Sequence, residues 1–469
     1  MSRPQAQDIQ SAMEGIVGSE AVLGSEAKGF ARYDRDQSHD IRYRHAPDVV
    51  VFPSTTGEVA AILRYAHEHA CPVTPRGGGT GLSGGAVPLR GGVCLAFERM
   101  KRIIDLDLEN LTVTVQPGLV TADLDRTLAP HGLFFPGYPM SDDICTIGGN
   151  VAENAGGGRA VKYGVTGDYV LGLEFVAADG RVCRFGGKRL KDVTGYDMKR
   201  LIVGSEGTLG VVTEVTLRLL PRPRNRLAAI ALFASTEAAI VTAREITADY
   251  RVEPSAVEYL DRMSLHETCS RLKETIPYED ASAMLLVETE GRSETEAAAG
   301  IEAALSYLRP RALYTEQAHD RDSYERFWKI RKRVPWTLKA LGRAQSHEDL
   351  SVPIAAIPDM VAFLNELSAE HGISIPCFGH AADGNLHAVP ICPDDMDEAE
   401  WREQLPLLLG SMYHKAVALG GTISGEHGIG HKRISYMDAV MDPLALELMQ
   451  RVKQAFDPKG IMNPGKVFP

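Results

Sequence analysis

The chain is organised around one glycine-rich stretch, Pro75-Arg76-Gly77-Gly78-Gly79-Thr80-Gly81-Leu82-Ser83-Gly84-Gly85. Because it holds few bulky side chains, its backbone can approach a ligand closely, and each glycine can adopt a positive φ. Successive N–H groups can then turn inward and form an anion-binding nest, with the Arg76 guanidinium adding positive charge beside it. The stretch therefore predicts a site for the phosphates of a diphosphate-bearing cofactor, with a flexible surface loop as the alternative.

Residues 79–84 also satisfy the G-x-G-x-x-G pattern of dinucleotide-binding helices. That pattern requires a helix to begin there, and residues 86–92 contain a proline and two glycines that prevent one. The preceding sequence predicts a buried strand over 48–53, a helix after the capping candidates Ser54–Thr56, and a second strand over 72–74. We therefore expect a phosphate loop held by a strand–helix–strand unit, and not a Rossmann site.

Two further glycine-rich segments follow, Thr146–Gly158 and Gly204–Gly210. Two loops of this kind can hold one cofactor from two sides. Together the three segments resemble the FAD-binding domain of the vanillyl-alcohol-oxidase type (PCMH-type) of flavoprotein, and the resemblance covers nearly the whole chain. The sequence is most similar to the branch that contains D-lactate dehydrogenases, the flavin subunit of glycolate oxidase and D-2-hydroxyglutarate dehydrogenases.

The resemblance implies an α+β fold with an FAD-binding domain over residues 1–221. A substrate or cap domain with a largely antiparallel sheet follows over 222–412, and a C-terminal segment, 413–469, returns to the FAD domain. The tract Pro221–Arg224 marks the first boundary, because paired prolines favour an extended connection. FAD is expected to be bound non-covalently, since Thr80 stands where relatives that tether FAD commonly carry a histidine.

The cofactor contacts expected from these motifs come from four regions of the chain. Glu206 is expected to meet an adenosine hydroxyl, with a plain surface carboxylate as the alternative. Asn463 is expected to lie near the flavin, with capping of a terminal turn as the alternative. The full set is Pro75, Arg76, Gly77, Gly78, Gly79, Thr80, Gly81, Leu82, Gly84, Gly85, Gly148, Gly149, Asn150, Asn154, Ala155, Gly156, Gly157, Glu206, Gly207, Gly210, Val211, Val212 and Asn463.

Length and composition restrict the classes of function. A chain of 469 residues is long enough for two or three domains. Its formal charge of −12 argues against a nucleic-acid-binding surface. The seven cysteines form no C-x-x-C pair, so neither an iron–sulfur cluster nor a zinc–thiolate site is predicted. No apolar stretch approaches the ~20 residues of a membrane span, and the polar N-terminus is unlike a signal peptide, so a cytoplasmic protein is expected.

A predicted hairpin carries two histidines. Asp383-Gly384 is a preferred central pair of a two-residue turn, which would pair His380 with His387 across the hairpin. Directly opposed residues have Cβ atoms ~4.5–5.5 Å apart, so both imidazoles could reach one metal ion. Two histidines hydrogen-bonded for purely structural reasons are the alternative.

A third ligand for that metal is available in Ser424–His431, where Glu426 offers a carboxylate between glycines. Two histidines and a carboxylate suit a catalytic divalent ion, zinc most simply, with iron(II) or manganese as alternatives. Both segments also resemble the metal and base motifs of the D-2-hydroxyacid dehydrogenases, whose ligands match His380, His387 and Glu426. One departure is Ala382, where those enzymes commonly carry glycine.

The resemblance assigns two further roles. Arg331, on a helix that we expect to end near Pro335, would hold the substrate carboxylate, and a solvated basic helix face is the alternative. His427, directly after Glu426, would be the general base; it could instead be a fourth ligand or a hydrogen-bond partner of Glu426, and His431 could compete as base. His347 stands where the hydroxyglutarate branch has a lysine for the second carboxylate.

The sequence therefore predicts a metal-assisted, FAD-dependent dehydrogenase of D-2-hydroxy acids, with D-lactate favoured over glycolate and D-2-hydroxyglutarate. Electrons would pass to a non-nicotinamide acceptor such as an electron-transfer flavoprotein, a quinone or a cytochrome. A homodimer or membership of a larger electron-transfer complex stays open. A metallohydrolase is the rival from another class, but it leaves the glycine segments unexplained.

Overall fold

The computed structural model describes residues 4–38 and 43–468, so the first three residues of the polar N-terminus lie outside the described part. The chain divides into two units. The first contains Met1–Gly157, Val165–Arg222 and Glu426–Pro469, and the second contains Gly158–Gly164 and Pro223–Gly425. After Arg222 the chain passes into the second unit, which contains the helix Glu398–Ala418, and it returns to the first unit at Glu426.

The first unit contains a small sheet that carries the first glycine stretch. Its strands are, in order, Val22–Leu23, Val49–Val51, Val93–Ala96 and Val73–Arg76, and the last three are parallel. The crossover helix is Thr56–His69, which begins where the Thr55 hydroxyl accepts the Glu58 N–H at 3.2 Å. The predicted strand–helix–strand unit is therefore present, and the glycine stretch leaves the end of its last strand.

A second sheet of the first unit is antiparallel, with strands in the order Ile103–Asp107, Thr112–Val115, Gly210–Arg218, Val170–Ala177 and Val182–Gly186. Leu133–Phe134 and Leu220–Pro221 form a separate short pair. The strands Val170–Ala177 and Val182–Gly186 form a hairpin around Asp179-Gly180, and its connection has three residues, 178–180. Ala177 N–H donates to Arg181 O at 2.9 Å, and Gly180 takes the positive φ of +82° that the turn needs.

The second glycine segment is partly helical. The Thr146 hydroxyl accepts the Gly149 N–H at 3.4 Å and caps a short helix, Ile147–Glu153. The other α-helices described in the first unit are Ala6–Val17, Thr121–Leu128, Met198–Ile202, Met437–Val440 and Pro443–Phe456. Single 3₁₀ turns occupy Ser19–Ala21, Phe30–Tyr33, Ala129–His131, Thr166–Asp168 and Ile434–Tyr436.

The second unit is built on one seven-stranded sheet whose neighbouring strands are all antiparallel, as expected. The strand order is Tyr314–Gln317, Asn225–Phe233, Ala283–Gly291, Ala256–Asp261, Cys377–His380, Asn385–Ala388 and Glu348–Ser351. The α-helices of this unit are Ala160–Tyr163, Thr236–Ala248, Arg262–Leu272, Glu294–Leu308, Arg321–Lys339, Ile357–His371 and Glu398–Ala418, and a 3₁₀ turn spans Ile354–Ala356.

The helix that carries Arg331 continues past the proline expected to end it. Pro335 lies inside Arg321–Lys339, and the helix ends only at Lys339. Proline has no N–H for the carbonyl four residues earlier, but the apolar residues on both sides, Val334 and Leu338, are fully buried. Packing of this face therefore outweighs the loss of one helical hydrogen bond, and the predicted helix end was wrong. Among the described residues, none of the helices combines the length and the apolar composition of a bilayer span.

Candidate functional site

The first unit contains a cavity of about 650 Å³ between the first glycine stretch and the start of the second glycine segment. Its lining includes the backbone of Gly77–Gly79 on one side and Ile144 and Thr146 on the other. Its charged lining residues are Arg32, Arg35, Arg76, Lys101, Asp36 and Glu98. Cations outnumber carboxylates, as a diphosphate requires, and the volume is in the range of small-molecule and cofactor sites.

Glycine is required where the two segments meet. A Cβ on Gly77 would lie 2.5 Å from the Thr146 hydroxyl, and a Cβ on Gly78 would lie 2.5 Å from the Ile144 carbonyl oxygen. Both distances are far below van der Waals contact, so only glycine allows the two backbones to approach in this way. The structure thus brings together the two segments that the sequence predicted to hold one cofactor from two sides.

Arg76 lies on the cavity wall, but much of its hydrogen-bonding capacity is directed at the protein. Its guanidinium donates to the backbone carbonyls of Arg35 at 2.7 Å, Arg32 at 3.2 Å and Ala86 at 3.3 Å. Asp36, which the sequence reading missed, accepts the Gly84 N–H at 2.8 Å. Burial raises the pKa of Asp36 above its ordinary value, against the opposing effect of its hydrogen bonds. These two buried side chains fix the shape of the glycine stretch.

Glu206 joins the third glycine segment to the C-terminal part of the first unit. Its carboxylate accepts the N–H groups of Ile429 at 2.8 Å and Gly430 at 2.7 Å. Its exposed fraction is only 7%, so it is not the surface carboxylate of the alternative reading. Burial raises the pKa of Glu206. The two N–H donors and the positive charges of Arg433 and Lys466 act in the opposite direction and favour the charged carboxylate.

Asn463 and Lys466 complete the same buried cluster. The Asn463 amide donates to Gly85 O at 2.9 Å and to Glu206 O at 2.7 Å, so it connects the first and third glycine segments. Lys466 Nζ donates to Val87 O at 2.6 Å, and burial lowers the pKa of this lysine to about 7. The Asn463 side chain therefore organises backbone around the predicted cofactor segments, a role wider than capping one turn.

Three of the residues predicted to contact the cofactor have a left-handed backbone although they are not glycine. Their φ values are +55° for Asn154, +51° for Glu206 and +41° for Asn463. Such strain costs of order 1 kcal/mol or more for each residue and persists where the surrounding structure enforces it. Asn154 ends the helix Ile147–Glu153, and its side chain accepts the Gly167 N–H at 2.9 Å.

The residues predicted to contact the cofactor all lie in the first unit. Pro75 and Arg76 end a strand, Gly148–Asn150 lie in the short helix, and Gly210, Val211 and Val212 begin a strand. The others lie on connecting segments or at helix ends: Gly77, Gly78, Gly79, Thr80, Gly81, Leu82, Gly84, Gly85, Asn154, Ala155, Gly156, Gly157, Glu206, Gly207 and Asn463.

Glu426 and His427 also lie in the first unit. Glu426 Oε1 and His427 Nε2 are 3.7 Å apart, which is too long for a hydrogen bond between them. A Cβ on Gly156 would be 3.6 Å from Glu426 Oε2, so this carboxylate packs against the second glycine segment. His431 Nδ1 lies 3.2 Å from Gly465 O, and burial lowers the pKa of His431.

In the second unit, the histidine hairpin has a different register from the predicted one. His380 pairs with Asn385, and His387 pairs with Phe378, so the turn has four residues, 381–384, and not two. The N–H of Gly384 donates to His380 O at 3.2 Å, and Gly384 has a φ of +87°. The two histidines are diagonal neighbours on one face, with ring centroids 5.5 Å apart and rings nearly perpendicular.

A buried carboxylate that the sequence reading missed, Glu258, connects His380 to Arg331. Its Oε1 is 2.7 Å from His380 Nδ1, and its Oε2 accepts a hydrogen bond from Arg331 Nε. The exposed fractions are 0% for Glu258, 4% for His380 and 2% for Arg331, which excludes a solvated basic face for Arg331. Burial alone would raise the pKa of Glu258, but the positive charge of Arg331 and the hydrogen bonds from Arg331 and His380 hold it below its ordinary value.

Asp349 lies beside His387 in the same unit. Its Oδ1 is 3.8 Å from His387 Nδ1 and accepts the Asn385 amide N–H at 2.8 Å, while its Oδ2 accepts the Ser424 hydroxyl at 2.7 Å. Asp349 follows His347, the half-buried residue that stands in the place of the lysine. A charged residue inside a strand, such as Glu258 in 256–261 or Asp349 in 348–351, was the available sequence signal for both missed carboxylates.

Comparison with known proteins gives matches to two families. Residues 47–186 match the family described as "FAD binding domain", and residues 222–467 match "FAD linked oxidases, C-terminal domain". The chain is 40% identical to the glycolate oxidase subunit GlcD of Bacillus subtilis, over 98% of this chain and 97% of that protein. It is 39% identical to a D-lactate dehydrogenase of Archaeoglobus fulgidus, over 89% and 91% of the two chains.

Solved structures show the same fold. The p-cresol methylhydroxylase structure aligns with a TM-score of 0.79 over 98% of this chain and 96% of that one, at 16% sequence identity. A 4-ethylphenol oxidase from Gulosibacter chungangensis aligns with a TM-score of 0.79, over 100% and 98% of the two chains, at 19% identity. The fold and the glycine-lined cavity therefore define a flavoprotein with a PCMH-type FAD-binding domain. The chain belongs to the FAD-linked oxidases, and it is an FAD-linked oxidoreductase.

Proposed function

We propose that this protein oxidises a D-2-hydroxy acid to the 2-oxo acid, with D-lactate as the favoured substrate. The observation that carries the proposal is the buried Arg331–Glu258–His380 network in the second unit of an FAD-linked oxidoreductase. The names of its relatives, a glycolate oxidase subunit and D-lactate dehydrogenases at 35–40% identity over most of the chain, support the same substrate class.

The donor set of the histidine hairpin fits a divalent metal. The contact of His380 Nδ1 with Glu258 favours the tautomer in which Nε2 keeps its lone pair, the arrangement common for metal-binding histidines. His387 lies on the same face of the hairpin. We propose that His380, His387 and Glu426 hold the ion, with zinc first and iron(II) or manganese as alternatives. Glu426 follows Gly425, whose N–H donates to Asp349 O at 3.1 Å.

The remaining roles fall to side chains of this chain. Bound FAD would supply an acceptor for the hydride of the substrate carbon, and a metal held by His380, His387 and Glu426 would supply positive charge near the substrate oxygen. Arg331 keeps two NH₂ groups beyond the Nε that Glu258 engages, and these suit a carboxylate. His427 accepts the hydroxyl proton, because a neutral imidazole is a competent base near neutral pH.

FAD is held non-covalently: Thr80 offers no imidazole, and of the seven cysteines only Cys183 is exposed.

The runner-up substrates are glycolate and D-2-hydroxyglutarate. Hydroxyglutarate needs a partner for its second carboxylate, and the half-buried His347 is a weaker anchor than a lysine at neutral pH. We favour an electron-transfer flavoprotein, a quinone or a cytochrome as the electron acceptor, and not a nicotinamide. A cytoplasmic location is proposed, and the chain acts either alone, as a homodimer, or as the flavin subunit of a larger complex.

Steady-state turnover tests this proposal. Purified protein would be assayed with D-lactate, L-lactate, glycolate and D-2-hydroxyglutarate, using a dye as electron acceptor and NAD⁺ as the alternative acceptor. We expect the highest kcat/KM for D-lactate, with the dye and not with NAD⁺. A higher kcat/KM for glycolate or hydroxyglutarate would select that acid instead, and turnover confined to compounds without a 2-hydroxy acid group would overturn the proposal.

A further inference from the structure

We propose that Glu258 is a positioning residue that fixes the predicted metal-binding His380 and the predicted substrate-binding Arg331 with one carboxylate. This inference rests on the proposed function, because it assigns a role toward the metal and substrate named there. The observation behind it is that the two oxygens of the carboxylate contact different partners. Oε1 lies at hydrogen-bond distance from His380 Nδ1, and Oε2 accepts a hydrogen bond from Arg331 Nε.

The position of Glu258 is itself fixed by the sheet. It lies on the strand Ala256–Asp261, between the strands that contain Leu286 and His380, and its backbone pairs with both. The side chain is completely buried, and Phe378 packs beneath the Arg331 guanidinium at 4.9 Å from the ring centroid. A buried carboxylate on a central strand has few alternative rotamers, so it can hold two partners in a constant relationship.

The charges explain why one carboxylate can serve both partners. The positive charge of the Arg331 guanidinium is neutralised by Glu258, and both side chains are buried. The same carboxylate accepts a hydrogen bond from His380 Nδ1, which fixes the orientation of the ring. Loss of the carboxylate would therefore leave Arg331 as an uncompensated buried cation and would release the His380 ring at the same time.

Gly158 provides an independent check on this arrangement. It belongs to the short Gly158–Gly164 segment of the second unit, and a Cβ on it would lie 2.5 Å from Glu258 Oε1 and 3.7 Å from His380 Cε1. Its φ is not in the left-handed region, so alanine is compatible with the backbone there. Gly158→Ala should therefore displace the Glu258 carboxylate without removing any charge.

The decisive variant is Glu258→Gln, which keeps the shape of the side chain. One amide oxygen cannot accept from both partners, and the NH₂ group either opposes an Arg331 N–H or donates to His380 Nδ1, which moves the ring proton to Nε2. We expect Zn²⁺ affinity, measured by competition with a chromophoric chelator on FAD-loaded protein, to fall 10–100-fold. The KM for D-lactate should rise in the same variant.

Glu288→Gln is the matched control. Glu288 is a fully buried carboxylate on the adjacent strand, and it accepts hydrogen bonds from Arg159, Ser255, Tyr324 and Trp328, not from His380 or Arg331. Its substitution should leave Zn²⁺ affinity within a factor of about three. If Glu258→Gln does not fold, Gly158→Ala gives the same test, with a smaller loss of Zn²⁺ affinity expected and FAD content unchanged.

The outcomes separate this inference from the proposed function. If the unsubstituted enzyme neither binds Zn²⁺ nor oxidises a 2-hydroxy acid, the proposed function fails. If it does both, and the folded Glu258→Gln and Gly158→Ala variants keep its Zn²⁺ affinity and KM, then only the positioning role of Glu258 is refuted. A combined loss of Zn²⁺ affinity and rise in KM, absent from Glu288→Gln, supports the role.

Discussion

The carboxylate of Glu206 accepts the backbone N–H of Gly430 at 2.7 Å, although the two residues are 224 positions apart. This contact ties the third glycine segment to the stretch that follows His427. Ile429 donates to the other oxygen at 2.8 Å. One buried side chain, that of Glu206, therefore holds the segment after His427 beside the third glycine segment within the first unit.

Replacing Glu206 should therefore reduce stability. In Glu206→Gln the single amide oxygen can accept only one of the two N–H groups, and the loss should be about 1–3 kcal/mol in the free energy of unfolding. Urea unfolding of the FAD-loaded protein measures it. The matched control is Glu214→Gln, a partly exposed carboxylate 3.3 Å from the exposed Arg184, with an expected effect within about 0.5 kcal/mol. Unchanged stability combined with weaker FAD binding would instead favour the adenosine contact.

The buried Glu288 predicts a pH dependence of stability. Burial by itself raises its pKa, but Arg159 and Arg226 and the hydrogen bond from Tyr324 lower it from the ordinary 4.5 to about 2. The folded protein therefore binds fewer protons than the unfolded chain between these values. The stability from this group is fully present above about pH 5 and is lost as the pH falls toward 2, by about 3 kcal/mol.

Urea unfolding at several pH values between about 3 and 6 measures this dependence. Glu288→Gln should be less stable at the upper end and should show a shallower decline toward acid than the unsubstituted protein. Parallel pH profiles for the two proteins would mean that Glu288 has the same pKa in the folded and unfolded states.

Gly78→Ala should weaken FAD binding. The new Cβ would lie 2.5 Å from the Ile144 carbonyl oxygen, so backbone lining the cavity would have to move. We expect a tenfold or greater rise in the dissociation constant, measured by titrating the apoprotein with FAD. Gly57→Ala is the control, because the nearest atom to its Cβ is 3.8 Å away. Equal FAD affinity in both variants would place the cofactor elsewhere.

His427→Ala should lower kcat by roughly 10²–10⁴-fold with FAD and metal content intact, the range for loss of a positioned base. His431→Ala is the comparison, since its imidazole lies against Gly465 O and is the competing candidate. A larger loss in His431→Ala would transfer the role of base to His431. Loss of metal from His427→Ala would make His427 a ligand.

Local signals in the sequence predicted much of the fold. The helix predicted after the capping candidates Ser54–Thr56 is present as Thr56–His69, because the Thr55 cap and the apolar periodicity are both short-range features. The Pro335 helix shows the limit of such signals, because the burial of Val334 and Leu338 that carries the helix onward depends on the rest of the unit. Capping and periodicity are therefore reliable only where tertiary packing does not oppose them.

The candidate site was predictable in its residue types but not in its contacts. Asp383-Gly384 is compatible with turns of two or four residues, and the sheet selected the longer one: Val352 N–H donates to Gly384 O at 3.0 Å. Arg331 finds its carboxylate on a strand 73 residues earlier in the chain. Pairings over such sequence distances depend on the sheet order, which no local pattern contains.

Anaerobic reduction of the bound flavin by D-lactate tests the central claim most directly, because it needs neither an electron acceptor nor a partner protein. The FAD-loaded protein would be mixed with D-lactate in the absence of oxygen, with L-lactate as the matched control, while the visible flavin absorbance is followed. We predict that D-lactate bleaches the flavin with formation of pyruvate, and that L-lactate leaves it oxidised. A flavin that stays oxidised with D-lactate, glycolate and D-2-hydroxyglutarate alike would contradict the assignment as a D-2-hydroxy acid dehydrogenase.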